Sequence, residues 1–413
     1  MMRVVAVTDT EGLSGAGIAA LRIQRAVAAA GVRASMVVAR RQSDAPDVQE
    51  IGDAGTRRRH AMRRAAMKLA FKAIGARRGE ILSGNVFPSG MQRRLREIDA
   101  DVLHLHWVGL EMLRIEEIAR LGKPVVWTMH DEWFALGLEH YAPTAGEPAD
   151  VVAGRGALFR SLDDSVRRRK AAAWKSCDPE IVCPSRWLAR RIGAAGHVAP
   201  ERIHVVSNTV PLDTFQPRDR AAARARLGLP KDCTVIGMGA LNAEDDPRKG
   251  FDHLRRALDI LAGRANSASL RVLVFGGREA GNLPLPARFA GTIRGDADLA
   301  AHVAAMDVFV CPSLVENLPN TIAEALSCGV PAVAFDVGGI PDLIRHRENG
   351  FLARPYDVAE LVEGIEYCLA PERRDTLASA ARSFAESSLG GTSVADQYIS
   401  IYRRALERRR SAS

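Results

Sequence analysis

The sequence predicts an α/β protein of two doubly wound, Rossmann-like domains, and three features of the chain predict it. Short β-branched runs alternate with longer Ala-, Leu- and Arg-rich segments of helical period, as in βαβ units around a parallel sheet. The alternation occurs twice, once in each half. The length of 413 residues, 47% hydrophobic and 26% charged, exceeds what one modest core needs and fits two domains of about 200 residues each. The same composition excludes disordered, collagenous and coiled-coil chains.

In the first half the expected strands are residues 3–8 (RVVAVT), 34–39 (ASMVVA), 101–106 (DVLHLH), 125–129 (VVWTM), 181–183 (IVC) and a short last one at 204–206. In the second half they are residues 235–239, 271–275, 289–293, 308–311 and 332–335. Between the halves lies HVVSNTVPLDTFQPRDR, where Pro211 and Pro217 flank polar residues in the manner of a linker. Placing the boundary at Pro217 gives domains of residues 1–217 and 218–385, with residues 386–413 as a C-terminal helix expected to pack back toward the N-terminal domain. Open α/β sheets bind ligands outside the carboxyl ends of their strands, so the chemistry is expected in a cleft between the two domains.

Several function classes drop out. The six cysteines are scattered without a CxxC spacing, which fits a reducing, cytoplasmic setting. The first residues, MMRVVAVTDTEG, hold a four-residue apolar run where a signal peptide would need about 7–15, and no run of about 18 apolar residues is present to span a bilayer. Aromatic residues make up only 5%, leaving few stacking platforms, so no specific nucleic-acid partner is expected. The net charge of +8 is local: residues 57–78 hold nine Lys/Arg and no acid, and 8 − 9 leaves −1 for the rest. On a helical wheel Arg64, Lys68 and Lys72 share one face and Met62, Ala66, Leu69 and Ala73 the other, the pattern of an interfacial helix on an anionic membrane surface; a solvated basic arm would look the same.

Four motifs carry candidate chemistry. Gly15-Ala-Gly17-Ile-Ala-Ala20 follows the opening strand and leads into a helix expected over residues 18–30, so its amides can approach an anion at a positive helix end. Alone it also matches a dinucleotide fingerprint. With Arg40 and Arg41 ending the second strand, an NADP-dependent oxidoreductase is an alternative, as is tight helix–strand packing. VWTMHDEW puts His130 and Asp131 just past a strand end, where His130 can meet a sugar hydroxyl and Asp131 can orient it. His104 and His106 alternate on one strand with no third ligand for a metal, and read as cleft wall or core.

DDPRKGFDHL brings Arg248 and Lys249 to a turn before a helix, a cationic site for a diphosphate or else a solvated pair. In CPSLVENLPNTIAEALSCG, Glu316 lies in the loop after a strand, Pro319 opens a helix, and Glu324 sits about a turn inside. The amides of Asn320 and Thr321 would point at an anion with a carboxylate on either side. Carboxylates suit a phosphate site when they accept hydrogen bonds from hydroxyls, a condition met by a diphosphate linking two sugars.

At these residues the sequence resembles the retaining, nucleotide-sugar-dependent glycosyltransferases of family four, which have the GT-B fold; the resemblance covers nearly the whole chain. Its most specific part is Glu316 and Glu324 in PSLVENLPNTIAEAL, followed by GVPAVAFDVGGIPDLI and NGFLARP. WTMHDEW with CPSRWLA resembles the bacterial polysaccharide-assembly, colanic-acid-type members, which make exopolysaccharide or lipopolysaccharide. The resemblance implies an N-terminal acceptor-binding domain and a C-terminal domain that binds a UDP- or GDP-sugar, with no cofactor and no metal. It implies that Glu316 contacts the donor sugar, Glu324 the ribose, and Lys249 with Arg248 the diphosphate. Asn320, Thr321, Gly15 and Gly17 would complete the cradle, backbone near Ile293 would read the base, and His130 would touch the sugar. The implied acceptor is a polysaccharide or lipid-linked glycan. Leu318-Pro319 replaces the family's usual Phe-Gly, and Ala240 an Arg, which shifts donor geometry near them. An inactive carbohydrate-binding relative is the non-enzyme alternative.

Overall fold

The computed structural model describes residues 1–12, 14–77, 80–142, 155–239, 246–277 and 282–411. The chain divides into two compact units, Met1–Asn208 with Thr392–Ser413, and Thr209–Gly391. The division falls at Asn208 rather than Pro217 because the intervening residues pack on the second unit. Val210 N and Thr209 Oγ1 both donate to the Leu389 carbonyl at 3.0 Å, and Phe215 is fully buried in the second core.

The first unit holds a seven-stranded sheet in the order β3-β2-β1-β4-β5-β6-β7. Its strands are β1 (Arg3–Thr10), β2 (Arg33–Arg40), β3 (Val48–Glu50), β4 (Val102–Leu105), β5 (Val125–Thr128), β6 (Glu180–Cys183) and β7 (Ile203–Val205). Every pairing is parallel. β1 shows why the sequence folds this way. Val5 and Val7 enter one apolar cluster, while Val4 and Ala6 enter clusters on the opposite face, so both faces need cover and the strand reads as a continuous apolar run. The edge strand β3 was not expected; VQE has no apolar run to reveal it.

The C-terminal helix, Gly391–Ser411, covers part of this sheet. It begins later than residue 386 because the Arg374–Ser388 helix of the second unit occupies that stretch. Val394, Tyr398, Ile401 and Tyr402 bury with Val4, Val102, Val126 and Val182. Two phenols fasten it: Tyr402 Oη lies 2.8 Å from His104 Nδ1, and Tyr398 Oη 3.0 Å from Thr128 Oγ1. At the far end Arg408 Nε reaches Glu180 Oε1 at 3.1 Å.

The second unit holds a six-stranded parallel sheet in the order β10-β9-β8-β11-β12-β13. Its strands are β8 (Thr234–Gly239), β9 (Leu270–Phe275), β10 (Ala287–Phe289), β11 (Val308–Cys311), β12 (Ala332–Phe335) and β13 (Gly350–Ala353). The strand expected at residues 289–293 lies earlier, at β10, because Gly291 and Gly295 both take left-handed φ and end the extended run. Ile293 therefore stands in the following loop, packed against the core. β13 coincides with the GFLA of a motif that had not been assigned as a strand.

Tyr402→Phe removes the hydroxyl that meets buried His104. The expected cost is about 1–2 kcal/mol, read as a lower urea midpoint at constant slope; an unchanged midpoint contradicts a role for this bond in fastening the helix.

Candidate functional site

In the second unit the sequence brings one ammonium and one carboxylate together by backbone geometry. Lys249 ends a short turn, Pro247–Lys249, capped by the Asp246 side chain and followed by Gly250 at φ +67°. A β-carbon on Gly250 would lie 1.8 Å from the Pro312 carbonyl oxygen, so only glycine lets this turn close on the loop after β11. The two segments are joined by Leu314 N donating to the Arg248 carbonyl at 2.7 Å. On the other side Gly339 N donates to the Glu316 carbonyl at 3.0 Å. Gly338, at φ +58°, allows that approach, since its β-carbon would sit 1.9 Å from the same oxygen.

Within this frame Lys249 Nζ donates to Glu316 Oε1 at 2.5 Å, and Ser313 Oγ donates to the same oxygen at 3.2 Å. The side chains are 25% and 12% exposed, so the pair is only partly screened by water. Burial pulls the Lys249 pKa down, but the Glu316 charge and hydrogen bond more than offset it, and the net shift is upward. From neutral pH up to the ordinary lysine value the pairing thus favours the folded state, and it fades as pH rises through the raised one.

The helix Asn320–Ser327 starts four residues after Glu316, with Pro319, which makes no side-chain cap bond, at its N-cap. Asn320 and Thr321 open its first turn, the positive end of the peptide dipoles. Glu324 is 2% exposed on this helix, and Leu318 is buried in the core. Arg248, expected beside Lys249, makes a two-pronged contact with Asp246, at 3.0 and 2.6 Å. Ala240 lies outside the described residues.

In the first unit Gly15 opens the helix Gly15–Ala29, three residues earlier than expected, because Ser14 caps it. Ser14 Oγ accepts from Gly17 N at 3.0 Å, so that amide serves the cap. A β-carbon at Gly17 would lie 2.4 Å from the Thr10 carbonyl oxygen, which makes helix–strand packing the role this structure gives Gly17. His130 Nε2 lies 3.0 Å from His106 Nδ1. Asp131, expected to orient His130, instead accepts from Trp107 Nε1 at 2.8 Å and Trp133 N at 2.9 Å, and its Oδ2 lies 2.6 Å from His140 Nδ1. Burial opposes ionisation of Asp131, but His140 and these bonds hold its pKa below the usual range. His140 Nε2 in turn lies 2.8 Å from Ser83 Oγ. This buried Ser-His-Asp array is sealed, with Ser83 wholly inside, and it fastens loops. His106 and His140 were not singled out as partners. The register of β4 with β5, His104 opposite Val126, places His106 toward residues 128–130 and was the available signal for the first.

The basic segment forms the helix Ala54–Ala73, shorter than residues 57–78, and Arg78 lies outside the described residues. It packs through Thr56, His60, Met67 and Phe71. Arg64, grouped by the wheel with Lys68 and Lys72, turns inward to Asp9 Oδ2 at 3.2 Å. Met62 and Leu69 are 64% and 70% exposed, with Arg58, Lys68 and Lys72 also exposed beside them. Among the described residues no helix is long and apolar enough to cross a membrane.

Two parallel α/β units of this topology are the GT-B architecture, the class of the sugar-nucleotide transferases. Residues 13–214 match the model described as Glycosyltransferase Family 4, and residues 232–371 that described as Glycosyl transferases group 1. The chain belongs to this family of glycosyltransferases. It is 29% identical over 342 residues to D-inositol 3-phosphate glycosyltransferase 1 of Catenulispora acidiphila, covering 78% of this chain and 76% of that protein. It is 33% identical over 307 residues to the D-inositol 3-phosphate glycosyltransferase of Mycobacterium tuberculosis, covering 69% of this chain and 60% of the relative. Among solved structures it is similar in fold to Anabaena HepE in complex with UDP and glucose, with a TM-score of 0.66, 17% identity, and 97% and 99% of the two chains covered. Sucrose-phosphate synthase of Thermosynechococcus elongatus has a TM-score of 0.65 and 17% identity, with 99% and 100% covered.

Gly250→Ala strains the turn and meets the Pro312 carbonyl. A loss of about 2 kcal/mol or more is expected by chemical denaturation, whereas Gly263→Ala, at ordinary φ on the next helix end, is expected to be near neutral.

Proposed function

We propose that this chain is a retaining transferase that moves a sugar from a UDP- or GDP-sugar to a glycan or lipid-linked acceptor. The observation that carries the reading is the Lys249–Glu316 pair beside the start of the Asn320–Ser327 helix, whose N-cap residue Pro319 makes no side-chain bond. A diphosphate needs a cation and amide donors, and its sugar needs a carboxylate to accept from hydroxyls; this stretch offers all three. The relatives' names and the UDP-sugar complexes of HepE support that donor class.

Without donor the two charges neutralise each other. On binding, the ammonium turns to the diphosphate and the carboxylate to the sugar, so neither is left unpaired. The bond from anomeric carbon to phosphate oxygen then breaks, its electrons passing to the diphosphate. The acceptor hydroxyl oxygen bonds to the same face of the sugar and its proton goes to a diphosphate oxygen. Lys249 and the Asn320 and Thr321 amides stabilise the leaving charge, Glu324 holds the ribose, backbone near Ile293 reads the base, and Leu318 belongs to the same donor-binding stretch. Arg248 joins the diphosphate only by leaving Asp246. In the first unit the resemblance assigns a role to the Gly15–Gly17 turn, whose Gly17 amide already donates to Ser14 Oγ, and to His130, which would hydrogen-bond a sugar hydroxyl. No metal is required where Lys249 takes the cationic role.

A thermal-shift panel of UDP, GDP, ADP and their sugars identifies the donor, since ligand at 100 times its dissociation constant adds about 2.7 kcal/mol to stability. Glu316→Ala and Lys249→Ala are each expected to lower kcat at least about tenfold while circular dichroism stays native. Lys249→Ala also loses the nucleotide-induced shift. Near-normal turnover in both variants removes the assignment. Acceptor assays include a phosphorylated polyol, because the curated relatives are named for D-inositol 3-phosphate.

The same proposal extends to an anionic membrane surface that carries the acceptor. The exposed Met62 and Leu69, bordered by Arg58, Lys68 and Lys72, support it, since apolar insertion and basic charge act together at a bilayer interface. The chain is expected to co-sediment with phosphatidylglycerol vesicles and not with phosphatidylcholine alone. Met62→Glu with Leu69→Glu should abolish the difference; binding indifferent to lipid charge contradicts the extension.

A further inference from the structure

The pair of imidazoles between β4 and β5 carries information about a proton. His106 Nδ1 and His130 Nε2 lie 3.0 Å apart, so one of these nitrogens bears the hydrogen between them. His106 is 2% exposed, and its other nitrogen, Nε2, is buried with no hydrogen-bond partner among the described residues. If His130 were the donor, neutral His106 would carry its own proton on Nε2, an N–H sealed from water with no acceptor. If His106 donates from Nδ1, its Nε2 is left as a bare lone pair. An orphaned buried N–H is the rarer and costlier defect.

The surrounding groups do not reverse this choice. The His104 ring is 4.1 Å from that of His106, centroid to centroid, but its own nitrogens are engaged with Thr128 Oγ1 and Tyr402 Oη, both at 2.8 Å. Trp127 Nε1 donates to the backbone carbonyl of His106 at 2.8 Å and leaves its ring alone. Both imidazoles are neutral near pH 7. Burial, then the His104 and His130 neighbours, hold His106 well below the ordinary histidine value, and burial lowers His130 to about 4 against the pull of Asp131.

We infer that His106 is a positioning residue that fixes His130 in its Nδ1–H tautomer, so that His130 meets its ligand as a neutral hydrogen-bond donor. His130 Nδ1 has no partner among the described residues and His130 as a residue is only partly buried, which leaves this N–H to a ligand oxygen. That the oxygen belongs to a sugar hydroxyl rests on the proposed function; the tautomer does not. A ring with Nδ1 protonated and Nε2 occupied has no lone pair to offer there, so His130 orients the sugar and does not deprotonate the acceptor.

The test is a long-range proton–nitrogen correlation spectrum of the full chain labelled with nitrogen-15 histidine, ligand-free at neutral pH, with His130 assigned by its loss in His130→Asn. The wild type is expected to show His130 Nδ1 protonated and Nε2 bare. His106→Leu removes the donor, and His130 should relax to the Nε2–H form that free imidazole prefers. His106→Asn, whose amide nitrogen stands near the place of Nδ1, should restore the Nδ1–H form. With the donor found by the panel above, kcat should fall roughly tenfold in His106→Leu and recover most of that in His106→Asn. A wild-type Nε2–H signature overturns the inference, as does an unaltered His130 in His106→Leu. If the leucine variant does not fold, the wild-type and asparagine spectra still decide. Because the spectra need no substrate, absent sugar transfer with the expected tautomer refutes the proposed function alone.

Discussion

The contact between Lys249 and Glu316 is the interaction on which the second unit's candidate site depends. Two flexible side chains seldom hold a fixed geometry on their own, and exposed ion pairs contribute little. Here the backbone fixes both ends. Gly250 lets the Lys249 turn lie against Pro312, Leu314 N ties that turn to the loop, and Gly338 and Gly339 press on the Glu316 carbonyl from β12's far end. The loops can hold the pair because β8, β11 and β12 are adjacent in the sheet, so their carboxyl ends deliver the three segments side by side. The geometry at this position follows from the strand order as much as from the two charged residues.

The first unit uses buried polar chemistry in a different way. Among the residues behind His130, His104, His106, Thr128, Tyr398 and Tyr402 place several hydrogen-bonding groups where water is absent, an arrangement that is costly unless most are paired. The C-terminal helix supplies the two phenols, so its packing and the pairing of His104 are one event. Asp131, next in sequence to His130, belongs to another network with His140 and Ser83 that closes loops. Adjacent residues past one strand end thus face separate tasks.

The parallel sheets were legible because strands buried on both faces are written as continuous apolar runs, and β1, β2, β4, β5, β8, β9, β11 and β12 all carry them. β3 was not, because VQE gives no such run, nor was β13, because GFLA holds no β-branched residue, and the strand at FAGTI lies earlier, at β10, because Gly291 breaks the extended run. Residue type and spacing marked Lys249 and Glu316 as candidates, and the structure sets the two in contact. The site was not legible where a side chain had a choice of partners. Arg248 chose Asp246, Arg64 chose Asp9, and Asp131 chose His140, each through contacts that neither a wheel nor a motif encodes. The glycines of the opening loop illustrate the same limit, since Gly17 satisfies a helix cap as well as it would an anion.

The most direct measurement is a crystal structure of the chain with the nucleotide sugar that stabilises it most. The account predicts diphosphate oxygens within hydrogen-bonding distance of Lys249 Nζ and of the Asn320 and Thr321 amides, with the Glu316 carboxylate turned to the sugar's hydroxyls. A diphosphate bound away from the Asn320 helix, with the Lys249–Glu316 contact still closed, would contradict it.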